Sequence, residues 1–250
     1  MHTILEHRAQ DIHGIINGID TKEFNPLTDP YIPINYRSAR SKKQDNKILL
    51  QEELKLPVDR EKPLYILISR LVEQKGIHLI MHIFDEFIQN DVQFIVLGTG
   101  DEQFENFFKH VEHVYPEKVR ALITFNEAFA RKMYAAADFF VMPSKFEPCG
   151  LSQLIALQYK TVPIVRETGG LKDTIQPYNE ITGEGNGLSF TNYNAHDFLN
   201  VLRYSLEIYH RPEHFQQLLK NVNKSQFSWK NSAKEYAKLY ETLLPSTITI

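Results

Sequence analysis

From Leu64 onward the chain alternates short apolar runs with longer stretches whose apolar residues recur at helical spacing. Runs at 64–69, 92–97 and 119–125 predict strands, and each is followed by an amphipathic segment, at 77–88, 102–111 and 128–137, that predicts a helix. The pattern continues with a strand at 139–142, a helix at 151–159, a strand at 162–165, a helix start at Gly169-Gly170 and a last short run at 187–190. Beyond Phe190 the periodicity is helical at 195–209, 212–222 and 232–243, with Phe227-Ser228-Trp229-Lys230 as punctuation before the last. Residues 14–63 are rich in turn formers and charges, with one helical stretch near 48–54, and predict a lead-in rather than part of the core.

Continuous apolar strands joined by helices imply a mostly parallel sheet with right-handed crossovers, the doubly wound α/β arrangement. Ligands of such sheets sit outside the carboxyl ends of the strands. The strand-to-helix loops are therefore where chemistry is expected. There is no internal repeat and no low-complexity tract.

Composition narrows the function classes. At 250 residues, 42% hydrophobic and 24% charged, the chain has the makings of one large α/β domain or two small ones. Its formal net charge of -3, from 28 Lys+Arg against 31 Asp+Glu, offers no basic surplus for a nucleic-acid backbone. The longest apolar runs are far short of the roughly 18 residues of a spanning helix, so no membrane partner is expected. One cysteine, Cys149, forms no intramolecular disulfide, and the first eight residues lack the apolar centre of a signal peptide. The expected compartment is the cytoplasm. The chain opens inside a helix-like run (Ile4, Leu5, Ile12), which reads as a cut made partway through a longer protein.

Five loops carry candidate chemistry. After the first strand come Arg70 and Lys75, two cations five residues apart, suited to diphosphate oxygens or simply to a solvated loop. After the second, Gly98 and Gly100 permit close backbone approach, in a strand-to-helix turn that matches neither the dinucleotide fingerprint nor a P-loop. Phe125 after the third is placed either to stack on a base or to fill the core. The most informative segment is Phe146-Glu147-Pro148-Cys149-Gly150-Leu151, where a carboxylate able to grip sugar hydroxyls precedes a helix start. Thr168-Gly169-Gly170 forms a second small-residue turn whose N–H groups suit phosphate. Ten histidines without an HExxH pattern and a single cysteine predict no protein-bound metal.

Together with Gly14-Ile15-Ile16-Asn17-Gly18-Ile19-Asp20, these motifs in this order resemble bacterial and plant glycogen (starch) synthases, over about residues 10 to 243. The resemblance implies the C-terminal, nucleotide-sugar-binding half of a GT-B fold, two facing Rossmann-like halves. The implied reaction transfers glucose from ADP-glucose to the non-reducing end of an α-1,4-glucan with retention of configuration, without a cofactor. It implies further that Arg70 and Lys75 hold the diphosphate and that Glu147, Cys149, Gly150 and Leu151 line the donor-glucose pocket. Thr168, Gly169 and Gly170 then bind phosphate, Gly98, Gly100 and Phe125 belong to the nucleotide side, and Asn17 lies in the hinge near the sugar. Arg70, Lys75 and Glu147 are the expected catalytic residues.

On this resemblance residues 1–33 form an interdomain hinge, 34–243 the nucleotide-sugar-binding domain with a C-terminal crossover helix, and 244–250 a tail. Two departures matter. Ile155 stands eight residues after Glu147, where related transferases often carry a second glutamate, and the family's N-terminal Lys-x-Gly-Gly-Leu loop has no counterpart. The fragment alone is then expected to hold part of the donor and barely turn over, and the final helix is expected to expose Tyr236, Leu239, Tyr240 and Leu243. The competing readings are a stand-alone nucleotide- or glucan-binding module and a transferase of the sucrose or trehalose-phosphate synthase type.

Overall fold

The computed structural model describes residues 2–243, so the expected tail at 244–250 lies outside the described residues. Six strands, β1 (Leu64–Ile68), β2 (Gln93–Leu97), β3 (Val119–Leu122), β4 (Phe139–Met142), β5 (Val162–Arg166) and β6 (Leu188–Phe190), pair in the order β3-β2-β1-β4-β5-β6. Every pairing is parallel. β1, β2 and β4 are buried almost throughout, which explains why they read as unbroken apolar runs instead of alternating ones. The order reverses direction between β1 and β4, and there the crossovers leave a crevice outside the carboxyl ends of the strands.

The helices in chain order are α1 (His2–His7), α2 (Arg40–Glu53), α3 (Ile77–Phe87), α4 (Glu102–Val114), α5 (Glu127–Ala136), α6 (Ser152–Gln158), α7 (Gly169–Thr174), α8 (Ala195–Tyr209), α9 (Pro212–Lys224) and α10 (Trp229–Leu243). Most expected elements are present within a few residues. β3 is shorter than the expected 119–125 run, which frees residues 123–126 as a loop.

The larger correction concerns 14–63, which is no mere lead-in. α2 starts at Arg40, well before residue 48, and Ile32, Tyr36, Leu50 and Leu56 belong to the core. Two lysines on this helix, one turn apart, are buried. Lys43 Nζ donates to the Tyr134 and Tyr159 carbonyls at 2.9 and 3.0 Å and to Thr161 Oγ1 at 2.8 Å. Lys47 Nζ pairs with Asp138 at 2.6 Å and donates to the Arg60 and Lys62 carbonyls. Burial pushes the Lys43 amine well below its ordinary pKa. The charges at 40–47 hide a core helix, because its lysines reach carbonyl groups at the amino-terminal edge of the sheet, which a periodicity argument does not see.

The segment at Ile16–Ile19 runs beside the stretch Phe227–Ser232. Ile19 N–H donates to the Phe227 carbonyl at 2.8 Å, and Ser232 Oγ donates to the Ile16 carbonyl at 2.7 Å. Gly18 is needed here, since a Cβ would collide with the Ser228–Trp229 backbone. α10 begins three residues earlier than expected, and Tyr236, Tyr240 and Leu243 on it are exposed as expected, while Leu239 is half-buried.

Candidate functional site

The loop after β1 is zipped to the loop after β2. Leu71 N–H donates to the Thr99 carbonyl at 2.9 Å, and Asp101 N–H returns to the Leu71 carbonyl at 2.8 Å. Gly98 and Gly100 make this approach possible, because side chains there would strike the Ser69 and Leu71 carbonyls. Gly98 faces the cavity beyond. Gly100 does not: it lies behind the zipper with its N–H committed to Glu105 Oε1 at 2.9 Å.

That cavity, about 320 Å³, opens at the carboxyl ends of β1 and β2 and is lined by Arg70, Gly98, Thr99 and Phe125, with Phe24, Arg131, Ser152 and Ile155 closing its sides. Arg70 is exposed, and its guanidinium has no hydrogen-bond or ionic partner among the described residues. Phe125 is 88% exposed, so it does not fill the core, and its ring stands at the mouth of the cavity. Water-facing display of a whole phenyl ring is costly unless something covers it.

The loops after β1, β4 and β5, three adjacent strands, lock together beside this cavity. Gly76, at φ +73°, passes under the Pro143 carbonyl, and Lys145 N–H donates to the Gln74 carbonyl at 2.8 Å. Across that seam Lys75 Nζ meets Glu147 Oε2 at 2.5 Å, with both side chains largely buried and Ser144 Oγ near the same oxygen at 3.4 Å. Arg166 Nε donates to the Ser144 carbonyl at 2.9 Å and lies over the Tyr193 ring, bracing the loop from the far side.

On the β5 side, Gly170 N–H donates to the Glu147 carbonyl at 3.0 Å, and side chains at Gly169 and Gly170 would collide with the Glu147 and Cys149 carbonyls. The expected three-amide phosphate nest is therefore largely spent within the protein. Thr168 N–H bonds the Arg166 carbonyl, leaving Gly169 N–H without an acceptor among the described residues. The glycines fasten the Glu147 loop to α7. Gly150, at φ +72°, turns the chain into α6, and buried Gln153 fixes that turn by donating to the Cys149 and Gly150 carbonyls.

A second, open cavity of about 730 Å³ joins Gly14–Asn17 to Pro148, Cys149, Lys172 and Asp173. Asn17 and Cys149 thus share a wall, while exposed Leu151 lines neither cavity. Sequence reasoning missed Phe24, Arg131 and Ser152. Phe24 sits in a turn-rich stretch, and Arg131 reads as one more charge on a helix. In the fold Arg131 is buried, donating to Glu23 Oε1 at 2.6 Å and Glu127 Oε1 at 2.7 Å. Burial opposes its charge, yet those two hydrogen bonds hold its pKa above the ordinary arginine value. No group of three or more His, Cys, Asp or Glu among the described residues is placed to hold a metal ion, and no described helix is long and apolar enough to cross a membrane.

Comparison with known proteins places this geometry. The glycogen synthase of Oceanobacillus iheyensis is 59% identical over 249 residues, 100% of this chain and 52% of that protein. The glycogen synthase of Exiguobacterium sibiricum is 47% identical, covering 98% of this chain and 51% of its own length. The chain thus spans about half the length of the curated relatives it matches. Among solved structures, the catalytic domain of Starch Synthase IV from Arabidopsis thaliana, bound to ADP and acarbose, superposes with a TM-score of 0.89 at 35% identity, covering 96% of this chain and 51% of that one. A sucrose-phosphate synthase from Thermosynechococcus elongatus, at 21% identity and a TM-score of 0.66 over 97% of this chain and 56% of its own, shares the fold. The family of glycosyl transferases group 1 matches residues 51–224, more than half of the chain, and the chain belongs to that family.

Proposed function

We propose that this chain is the donor-binding half of a glycogen synthase, which in the whole enzyme transfers glucose from ADP-glucose to the non-reducing end of an α-1,4-glucan with retention of configuration. The observation that carries the reading is the pairing of an unpartnered Arg70 with a fully displayed Phe125 in one cavity at the switch point of the sheet. An aromatic face for the base and a guanidinium for the diphosphate are the two contacts a nucleoside diphosphate asks for.

In this reading Arg70 grips the diphosphate bidentately, and Lys75, one loop turn away, adds a point charge as the bond to glucose breaks. Their combined field stabilises the negative charge that develops on the departing ADP. Glu147 is placed to clasp hexose hydroxyls once Lys75 turns toward phosphate. Gly169 N–H supplies one further donor, Asn17 and Cys149 face the sugar side, and no cofactor is assigned. The glucan acceptor then approaches from the N-terminal half that relatives carry, with residues 1–33 as the hinge and 34–243 as the domain proper. The cytoplasm is the compartment we assign.

Ile155 lines the cavity where a sucrose-synthase-like relative often has an acid, which disfavours that reading. Calorimetric titration with ADP and UDP tests the reading directly. ADP binding is expected, with glucosyl transfer only from the full-length protein; folded protein that binds neither nucleotide at millimolar concentration refutes it.

A further inference from the structure

The base cavity has a second aromatic side. Phe24 lines it from the segment that precedes the sheet, whereas Phe125 enters from the loop after β3. Phe24 is half-buried and is not left to find its own place. The Arg131 guanidinium lies over its ring at 4.4 Å, and Arg131 Nη1 donates to the carbonyl of the preceding residue, Glu23, at 2.8 Å. The same guanidinium is clamped by the Glu23 and Glu127 carboxylates, with Asp29 at 3.7 Å. Asp29 in turn accepts from Tyr159 OH, so the stretch carrying Phe24 is tied to both α5 and α6 before any ligand arrives.

We propose that Phe24 is the second aromatic wall of the nucleobase pocket and that Arg131 is the positioning residue that holds it there. The proposal rests on the donor reading above and goes beyond it. It makes the hinge segment part of the donor site, so that a base seated between Phe24 and Phe125 bears on the segment leading toward the other half of the enzyme. A guanidinium centred over one face of Phe24 leaves the ring's other face free of it and fixes the tilt of the ring at the cavity wall. Anchoring before binding removes the ordering cost that a free phenylalanine on a turn would add.

The test compares ADP with inorganic pyrophosphate, which has the anion without the base, by calorimetric titration of this chain and its variants. Phe24→Leu keeps the apolar volume and removes the aromatic face, so folding is expected to survive, checked by an unliganded melting temperature close to that of the parent. It is expected to weaken ADP about fivefold or more while pyrophosphate stays within twofold. Phe24→Trp is expected to return ADP affinity, and Arg131→Lys, which keeps the cation and loses the flat stacking surface, to repeat the Phe24→Leu pattern in milder form. ADP affinity within twofold of the parent in Phe24→Leu overturns the proposal, as does an equal loss of ADP and pyrophosphate, the mark of a residue that only packs. A parent that binds ADP no better than pyrophosphate also overturns it. If the parent binds neither ligand, the donor reading itself has failed.

Discussion

Lys75 Nζ and Glu147 Oε2 lie 2.5 Å apart, joining the loop after β1 to the loop after β4 across the switch point of the sheet. The cation expected at the diphosphate and the carboxylate expected at the sugar are thus each other's partners before the donor enters. A ligand that offers oxygens to Lys75 and hydroxyls to Glu147 replaces one ion pair with two charge-assisted contacts, and the desolvation of both groups has already been met by the fold.

Removing one partner leaves the other charge stranded in a largely buried seam. Lys75→Met is expected to destabilise the chain by about 3 kcal/mol, and the double variant Lys75→Met/Glu147→Leu to recover much of that loss, because the pair as a whole is worth less than either half left alone. Urea midpoints of the two single variants and the double variant measure the coupling. Additive losses show that the pair is not the clamp described here.

Arg70 behaves differently because no side chain or carbonyl among the described residues pairs with its guanidinium. Arg70→Ala is expected to leave the melting temperature unchanged and to weaken ADP by about 1.5–3 kcal/mol through lost charge-assisted hydrogen bonds. Calorimetry beside thermal denaturation separates the two effects. A large fall in melting temperature shows that Arg70 supports the fold and overturns the assignment of its guanidinium to the ligand.

The sheet and nearly all its helices were legible because strands buried on both faces write unbroken apolar runs such as Leu64-Tyr65-Ile66-Leu67, and the helices between them write clear amphipathic ones. The site was legible as far as it depends on loops at strand ends: Arg70, Lys75, Glu147 and Gly169 do converge on one edge. Illegible was the use each group makes of its neighbours. Whether Gly170 N–H faces a phosphate or the Glu147 carbonyl depends on how two loops distant in sequence approach, and spacing carries no record of that. The same holds for Lys43 and Phe24, whose surroundings are supplied by residues about a hundred positions away.

Lys43 turns that blind spot into a prediction. Its amine is the shared donor for the Tyr134 and Tyr159 carbonyls and Thr161 Oγ1. Lys43→Met fills the same space without a donor, leaving buried acceptors unmet, and is expected to cost about 1–3 kcal/mol. ADP binding, at the opposite edge of the sheet, is expected to be unchanged in the folded fraction. Denaturant unfolding gives the first quantity, and an unaltered midpoint refutes the assigned network.

Acid sensitivity is expected to reside in the turn at residues 179–185. Arg211 donates to both carboxylate oxygens of Glu180 at 2.6 Å, fastening that turn to the start of α9. The Arg211 hydrogen bonds, helped by one from Tyr204, lower the Glu180 pKa from its ordinary 4.5 to about 2. A carboxylate whose folded pKa is depressed contributes stability that is fully present above the unfolded value and fades as pH falls toward the folded one. The contribution is therefore intact above pH 4.5 and lost progressively between about 4.5 and 2. Arg211→Gln removes it at the outset. The gap in urea midpoint between parent and variant is expected to be widest near neutrality and to narrow steadily below pH 4.5, on a scale kept modest by the solvent around this exposed pair. A gap that stays constant from pH 6 to pH 3 shows that Arg211 stabilises the turn by packing alone, with no part for the charge of Glu180.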